Sequence, residues 1–151
     1  MLHEEYMKEA LQEARKAMKN GEVPVGAVVV LNGEIIGRGH NRRESAHDPT
    51  AHAEILALRE AGKKLNSWRL NGAVLYVTLE PCPMCAGAVL QSRIDRVVYG
   101  ADDPKAGSAG TLLNILQFPG FNHQVKITGG VLAGEAAALL REFFERQRDK
   151  Y

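Results

Sequence analysis

Cys82 and Cys85 lie three positions apart in Pro81-Cys82-Pro83-Met84-Cys85. Two thiolates at that spacing can grip one soft or borderline cation. The segment reads as a turn entering a helix, with Pro83 suited to the first helical position. A helix N-terminus also lowers the thiol pKa toward the metal-binding form. The same spacing between a strand and a helix suits a redox dithiol. The cysteines alone therefore leave metal and redox chemistry side by side.

His52-Ala53-Glu54 favours the metal, since a redox pair needs neither residue. His52 supplies a nitrogen ligand, giving one histidine and two cysteines. Structural zinc sites close with four protein ligands, whereas catalytic ones keep a position for water. The chain has no third cysteine. Residues two apart on an ideal helix diverge by about 200°, so His52 and Glu54 meet one cavity only if the helix end points into it. Glu54 is then a carboxylate beside the metal water rather than a ligand. Two thiolates and a neutral imidazole cancel the charge of a divalent ion. Such a weakly acidic centre benefits from a base that takes the water proton.

These groups need elements to hold them. Tyr6, Ala10, Leu11, Ala14, Ala17 and Met18 recur at helical spacing and predict an amphipathic helix over 3–19. Residues 25–31 and 34–39 read as strands joined by Asn32-Gly33, a strong hairpin signal. A polar loop over 40–50 follows, and Asp48 or Thr50 can cap a helix over 51–64. Strands are expected at 73–79, 94–100 and, as a short edge, 125–128. Helices are expected at 83–92, near 112–116 and at 134–148. This order implies an α/β fold, a mixed sheet with helices on both faces. Helical crossovers make some of its strand pairs parallel.

The 151 residues are 45% hydrophobic and 25% charged, with a formal net charge of +1. That excludes collagen-like and disordered classes and fits one domain over 1–151. The longest apolar stretch, 23–31, is far short of a membrane span. With no secretory leader and only two cysteines, the expected compartment is the cytoplasm. Global charge does not point to nucleic acid. Over 38–69, however, seven basic residues face four acidic ones. Most such excesses solvate a helix face.

The two motifs together resemble the zinc nucleobase deaminases of the cytidine deaminase superfamily. The surrounding segments resemble the bacterial tRNA-specific adenosine deaminases. They are Glu22 to Val28, His40-Asn41, Asp48 to Glu54, Leu75 to Cys82, Asn122-His123 and Phe143-Phe144. The resemblance implies a cytidine deaminase-like, three-layer α/β/α fold with a central mixed five-stranded sheet, and a homodimer. It implies one Zn2+ per subunit on His52, Cys82 and Cys85. Zinc hydroxide would attack C6 of adenine, with Glu54 as proton shuttle, giving inosine at the wobble position (34) of a tRNA anticodon stem-loop. Asn41 matches the family asparagine that hydrogen-bonds the base. Arg43, Asp103, Lys105, Asn122, Phe144 and Arg148 fall at or near positions resembling anticodon-loop contacts. The Asp102-Asp103-Pro104 run is acidic for a place beside a phosphate backbone. Two other readings stand beside this one: a free-base or nucleoside deaminase (guanine or cytosine) and a non-catalytic zinc-stabilised binding module. Trp68 could be a stacking platform or a packing anchor.

Overall fold

The computed structural model describes residues 2–149. Helix α1 (Leu2–Lys19) turns Met7, Ala10, Leu11, Ala14 and Ala17 to the interior. Strands β1 (Gly26–Leu31) and β2 (Glu34–His40) form the expected hairpin. Asn32 and Gly33 both take positive φ, 51° and 78°, as a type I′ turn requires. The loop expected over 40–50 contains a one-turn helix, α2 (Arg43–Ala46). Then come α3 (Ala53–Leu65), β3 (Val74–Leu79), α4 (Pro83–Gln91) and β4 (Arg96–Ala101). The helix expected near 112–116 is a single 3-10 turn, Ile115–Gln117. Gly and Pro residues on both sides of it leave no room for an α-helical run. Strand β5 (Lys126–Thr128) and helix α5 (Ala133–Asp149) close the fold.

The five strands form one sheet in the order β2-β1-β3-β4-β5. Strand β1 runs antiparallel to β2 and β3, while β3, β4 and β5 run parallel. On one face Ala27, Val29, Leu75, Val77 and Val97 pack with α3 and α4 residues such as Ala57 and Val89. On the other, Val28, Val30, Tyr76 and Val98 pack with Met7 and Leu11 of α1 and Ala136 of α5. The fold is thus a three-layer α/β/α sandwich. Coverage on both faces explains why 25–31 reads as an unbroken apolar run. Each fully buried Val or Leu there contributes about 1.5–3 kcal/mol of hydrophobic stabilisation.

Two contacts set the site. Helix α3 lies hard against β2: a Cβ on Gly37 would fall 2.2 Å from the Ala57 carbonyl oxygen, and one on Gly39 2.3 Å from that of Ala53. Strands β2 and β3 share a direction, because both oppose β1. Their carboxyl ends therefore meet at one edge of the sheet. Helices α3 and α4 start from those ends, where open α/β sheets bind ligands. Among the described residues, no helix is long and apolar enough to cross a membrane.

Candidate active site

His52 and Cys82 are the N-cap residues of α3 and α4, with extended backbones at φ −81°, ψ 152° and φ −76°, ψ 174°. His52 therefore precedes the first helical turn rather than lying in it. Neither side chain caps its own helix. Each is free to turn toward the other. His52 Nδ1 lies 3.6 Å from Cys82 Sγ and 3.5 Å from Cys85 Sγ. All three donor atoms lie within 4.8 Å of one another. With metal bonds of about 2.3 Å to sulfur and 2.0 Å to nitrogen, tetrahedral ligands stand roughly 3.5 Å apart. The donor set fits a zinc-type ion in chemistry and spacing. Both helix N-termini also point partial positive charge at the sulfurs. The Cys85 thiol and His52 pull the Cys82 pKa down to about 4.

Glu54 follows two residues after His52, at 4% exposure. Burial pushes its carboxyl up to about 7, with the Cys82 thiolate adding to the rise. A base poised near neutrality can both take and return a proton. His52, Glu54 and Cys82 open onto a cavity of about 180 Å³. Val23, Val25 and Leu79 form its apolar walls, and Asn41, Arg43 and Asp103 supply polar edges. Apolar walls facing several polar groups suit a heterocyclic ring.

Asn41 is buried at 8% exposure, and its Oδ1 accepts the Ala53 backbone N–H at 2.9 Å. This bond replaces the cap expected from Asp48 or Thr50. Those two residues bond each other instead: the Thr50 N–H and hydroxyl both donate to Asp48 Oδ1, at 2.8 and 2.7 Å.

Two buried carboxylates brace the cavity, and no motif points to their role. Glu80, 2% exposed, accepts backbone N–H groups of Asp103 (3.0 Å), Ala109 (3.0 Å) and Thr111 (3.1 Å), and the Thr111 hydroxyl. It holds the loop over 103–111 across the site. Glu22, also 2% exposed, accepts the N–H groups of Glu44 (3.1 Å) and Ser45 (2.7 Å) in the turn carrying Arg43. Burial raises the pKa of both, but these hydrogen bonds outweigh it and hold both below the ordinary carboxylate value. The available signal is an acidic residue directly beside an apolar run, Glu80 after β3 and Glu22 before Val23.

The remaining expected contacts divide. Lys105, Phe144 and Arg148 meet at a second depression, of about 770 Å³. Phe144 is 47% exposed there, while Phe143 is buried in the core. Asn122 is exposed in the loop after the 3-10 turn and lines neither cavity. The other histidines stand apart from the cluster: His40 Nδ1 pairs with Glu13 at 3.0 Å, and His123 Nε2 meets the Ile94 carbonyl at 2.8 Å.

Fold and site together define a deaminase, and the family described as MafB19-like deaminase matches residues 1–148. A tRNA-specific adenosine deaminase of Bacillus subtilis (strain 168) is 59% identical over 145 residues, covering 96% of this chain and 90% of that protein. A solved structure from a study of A-to-I editing by tRNA:A34 deaminases at the wobble position superposes with a TM-score of 0.87. It is 46% identical and covers 90% of this chain and 99% of that one. A guanine deaminase from Nitrosomonas europaea matches with a TM-score of 0.81 at 30% identity, over 93% of this chain and 83% of its own. The chain belongs to the tRNA-specific adenosine deaminase family.

Proposed function

We propose that this protein is a zinc-dependent hydrolase that converts adenosine to inosine at the wobble position of a tRNA anticodon loop. The observation that carries the reading is the three-donor cluster of His52, Cys82 and Cys85, with buried Glu54 beside it at the foot of a base-sized cavity. His52, Cys82 and Cys85 would hold one zinc per subunit, which would supply a Lewis acid for hydrolysis at C6 of the purine. Glu54 takes a proton from the attacking water and returns it to ring N1. A second proton passes to the exocyclic amine, the C6–N bond breaks, and ammonia leaves. Water in, ammonia and inosine out, balances the reaction.

The other residues orient the base. With its oxygen tied to Ala53, Asn41 offers its amide N–H groups to an acceptor on the base edge. Arg43 and Asp103 edge the opening of the cavity. Lys105 and Arg148 offer cations to phosphates beside Phe144, whose exposed ring offers a stacking face. Asn122 contributes from its own loop. An anticodon loop suits such a pocket, because its bases are partly unstacked and cheap to extrude.

The whole chain acts as one domain, in the cytoplasm. It works as a homodimer, and an apolar groove of about 950 Å³ offers the surface a second copy would cover. Ile55, Leu58, Leu70 and Ala88 line that groove. Trp68 stands over it, 57% exposed, with the Arg69 guanidinium 4.4 Å from its ring centre.

The test is product analysis with zinc-loaded protein. Inosine should form in an anticodon stem-loop bearing wobble adenosine, with little ammonia from free guanine or adenosine. Ammonia from free guanine and an unchanged stem-loop would move the assignment to the guanine deaminases.

A further inference from the structure

Of the basic residues over 38–69 only Arg43 lines the catalytic cavity, and the fold gathers four of the others, Arg38, Arg42, Arg59 and Lys63, elsewhere. A further concavity of about 620 Å³ opens where α1, β2 and α3 meet. Lys16, Arg38, Arg42, Arg59 and Lys63 line it against three carboxylates, Glu13, Asp48 and Glu60.

The carboxylates are already engaged. Glu13 accepts from Lys16, Arg38 and His40 at 2.9, 3.2 and 3.0 Å. Asp48 accepts from Thr50, and Glu60 from the Arg38 backbone N–H at 3.2 Å. Among the described residues, Arg42, Arg59 and Lys63 form no ion pair (Lys16 and Arg38 do). Glu13 is thus neutralised by its cations, and Arg42, Arg59 and Lys63 face an open concavity against two carboxylates, Asp48 and Glu60, leaving an excess of positive charge. An arginine fork in that setting matches a phosphate.

The place of this concavity relates it to the catalytic one. Asn41 and Arg43 line the catalytic cavity, whereas Arg42 between them lines the basic one. Consecutive Cα atoms are about 3.8 Å apart, so one short piece of chain forms a wall of both. A polymer with one base in the first cavity has backbone phosphates within reach of the second. We infer that the basic concavity around Arg42, Arg59 and Lys63 is a phosphodiester subsite, holding the RNA backbone beside the target nucleotide. This rests on the tRNA reading above.

The test is binding of an anticodon stem-loop across a salt series, with turnover measured at saturating RNA. The variants are Arg42→Gln, Arg59→Gln and their double. Lys8→Gln is the control, an exposed charge change lining neither cavity. The slope of log affinity against log salt should fall by about 0.7 to 1 for each cation removed. Turnover at saturating RNA should be unchanged, and Arg42→Lys should keep the wild-type slope. The Arg42 and Arg59 side chains are exposed in the single chain, so melting temperatures should match the wild type. Arg59 also lines the apolar groove that a second copy would cover, so Arg42→Gln, which lines the basic concavity alone, carries the test if Arg59→Gln alters the dimer. A double variant with the slope of Lys8→Gln would overturn the subsite. So would a loss of turnover with binding intact. Stabilisation by inorganic phosphate that the double variant loses, with RNA slopes unchanged, would make it a free-anion site and overturn the RNA assignment. A wild-type protein that neither binds nor deaminates the stem-loop would sink the tRNA reading itself, whereas the other results leave that reading standing.

Discussion

The side chain of Asn41 caps the helix that Ala53 begins, through a 2.9 Å bond from the Ala53 N–H to Asn41 Oδ1. The formal N-cap, His52, is thereby released to face the two sulfurs. A single residue thus satisfies a helix end and presents an amide to the cavity. The two duties can be separated. Asn41→Asp keeps the acceptor and should hold stability near wild type, yet it should lose most activity, because the amide donor is gone. Asn41→Ala should lose activity and, in addition, about 1 kcal/mol of stability. Thermal melts beside turnover measurements check both. Full activity in Asn41→Asp would remove the amide from base recognition.

Glu54 is the group that moves protons. Glu54→Gln should keep one equivalent of bound zinc while turnover falls by a factor on the order of 10² to 10⁴. Metal analysis and ammonia release on the same sample provide the measurement. Near-normal ammonia release would assign proton transfer elsewhere.

Glu80 should tie stability to pH. Its folded pKa is depressed, so the stability it contributes is present above the ordinary glutamate value and lost as pH falls through the folded one. Glu22 acts in the same direction. Glu80→Gln leaves buried N–H groups badly paired and should cost about 2 kcal/mol at pH 7, roughly 5 °C in melting temperature. That gap should shrink as pH drops below about 4.5. Because the loop it braces carries Asp103 and Lys105, kcat/KM for the stem-loop should fall more than kcat. A gap independent of pH would show that the carboxylate charge is not what holds the loop.

Metal removal should separate site from scaffold. The two core layers consist of apolar contacts around the sheet and need no ion. Chelation should therefore leave the far-ultraviolet circular dichroism spectrum intact. It should lower the melting temperature by the linked binding energy and abolish turnover. Cys82→Ser and Cys85→Ser should behave as the chelated protein does even with zinc added. Unfolding on chelation would instead make the site structural.

The residues that carry chemistry were legible because donor type and spacing constrain metal sites tightly. His52, Cys82 and Cys85 meet although 30 positions separate the first two. The strands and long helices followed from periodicity, and Asn32-Gly33 from turn chemistry. What escaped has a common cause. The cap of α3 comes from Asn41, 12 residues before Ala53, so no local capping pattern encodes it. Glu22 and Glu80 bind backbone groups 22 to 31 residues away, and a buried carboxylate facing N–H groups has the same sequence signature as a solvated one. Phe143 and Phe144 are adjacent, and only packing decides which one faces solvent.

X-ray absorption on the zinc-loaded protein bears most directly on the centre proposed above. It should find one zinc per chain with two sulfurs and one imidazole nitrogen as its only protein donors. Four protein donors, or a chain that takes up no zinc, would contradict it.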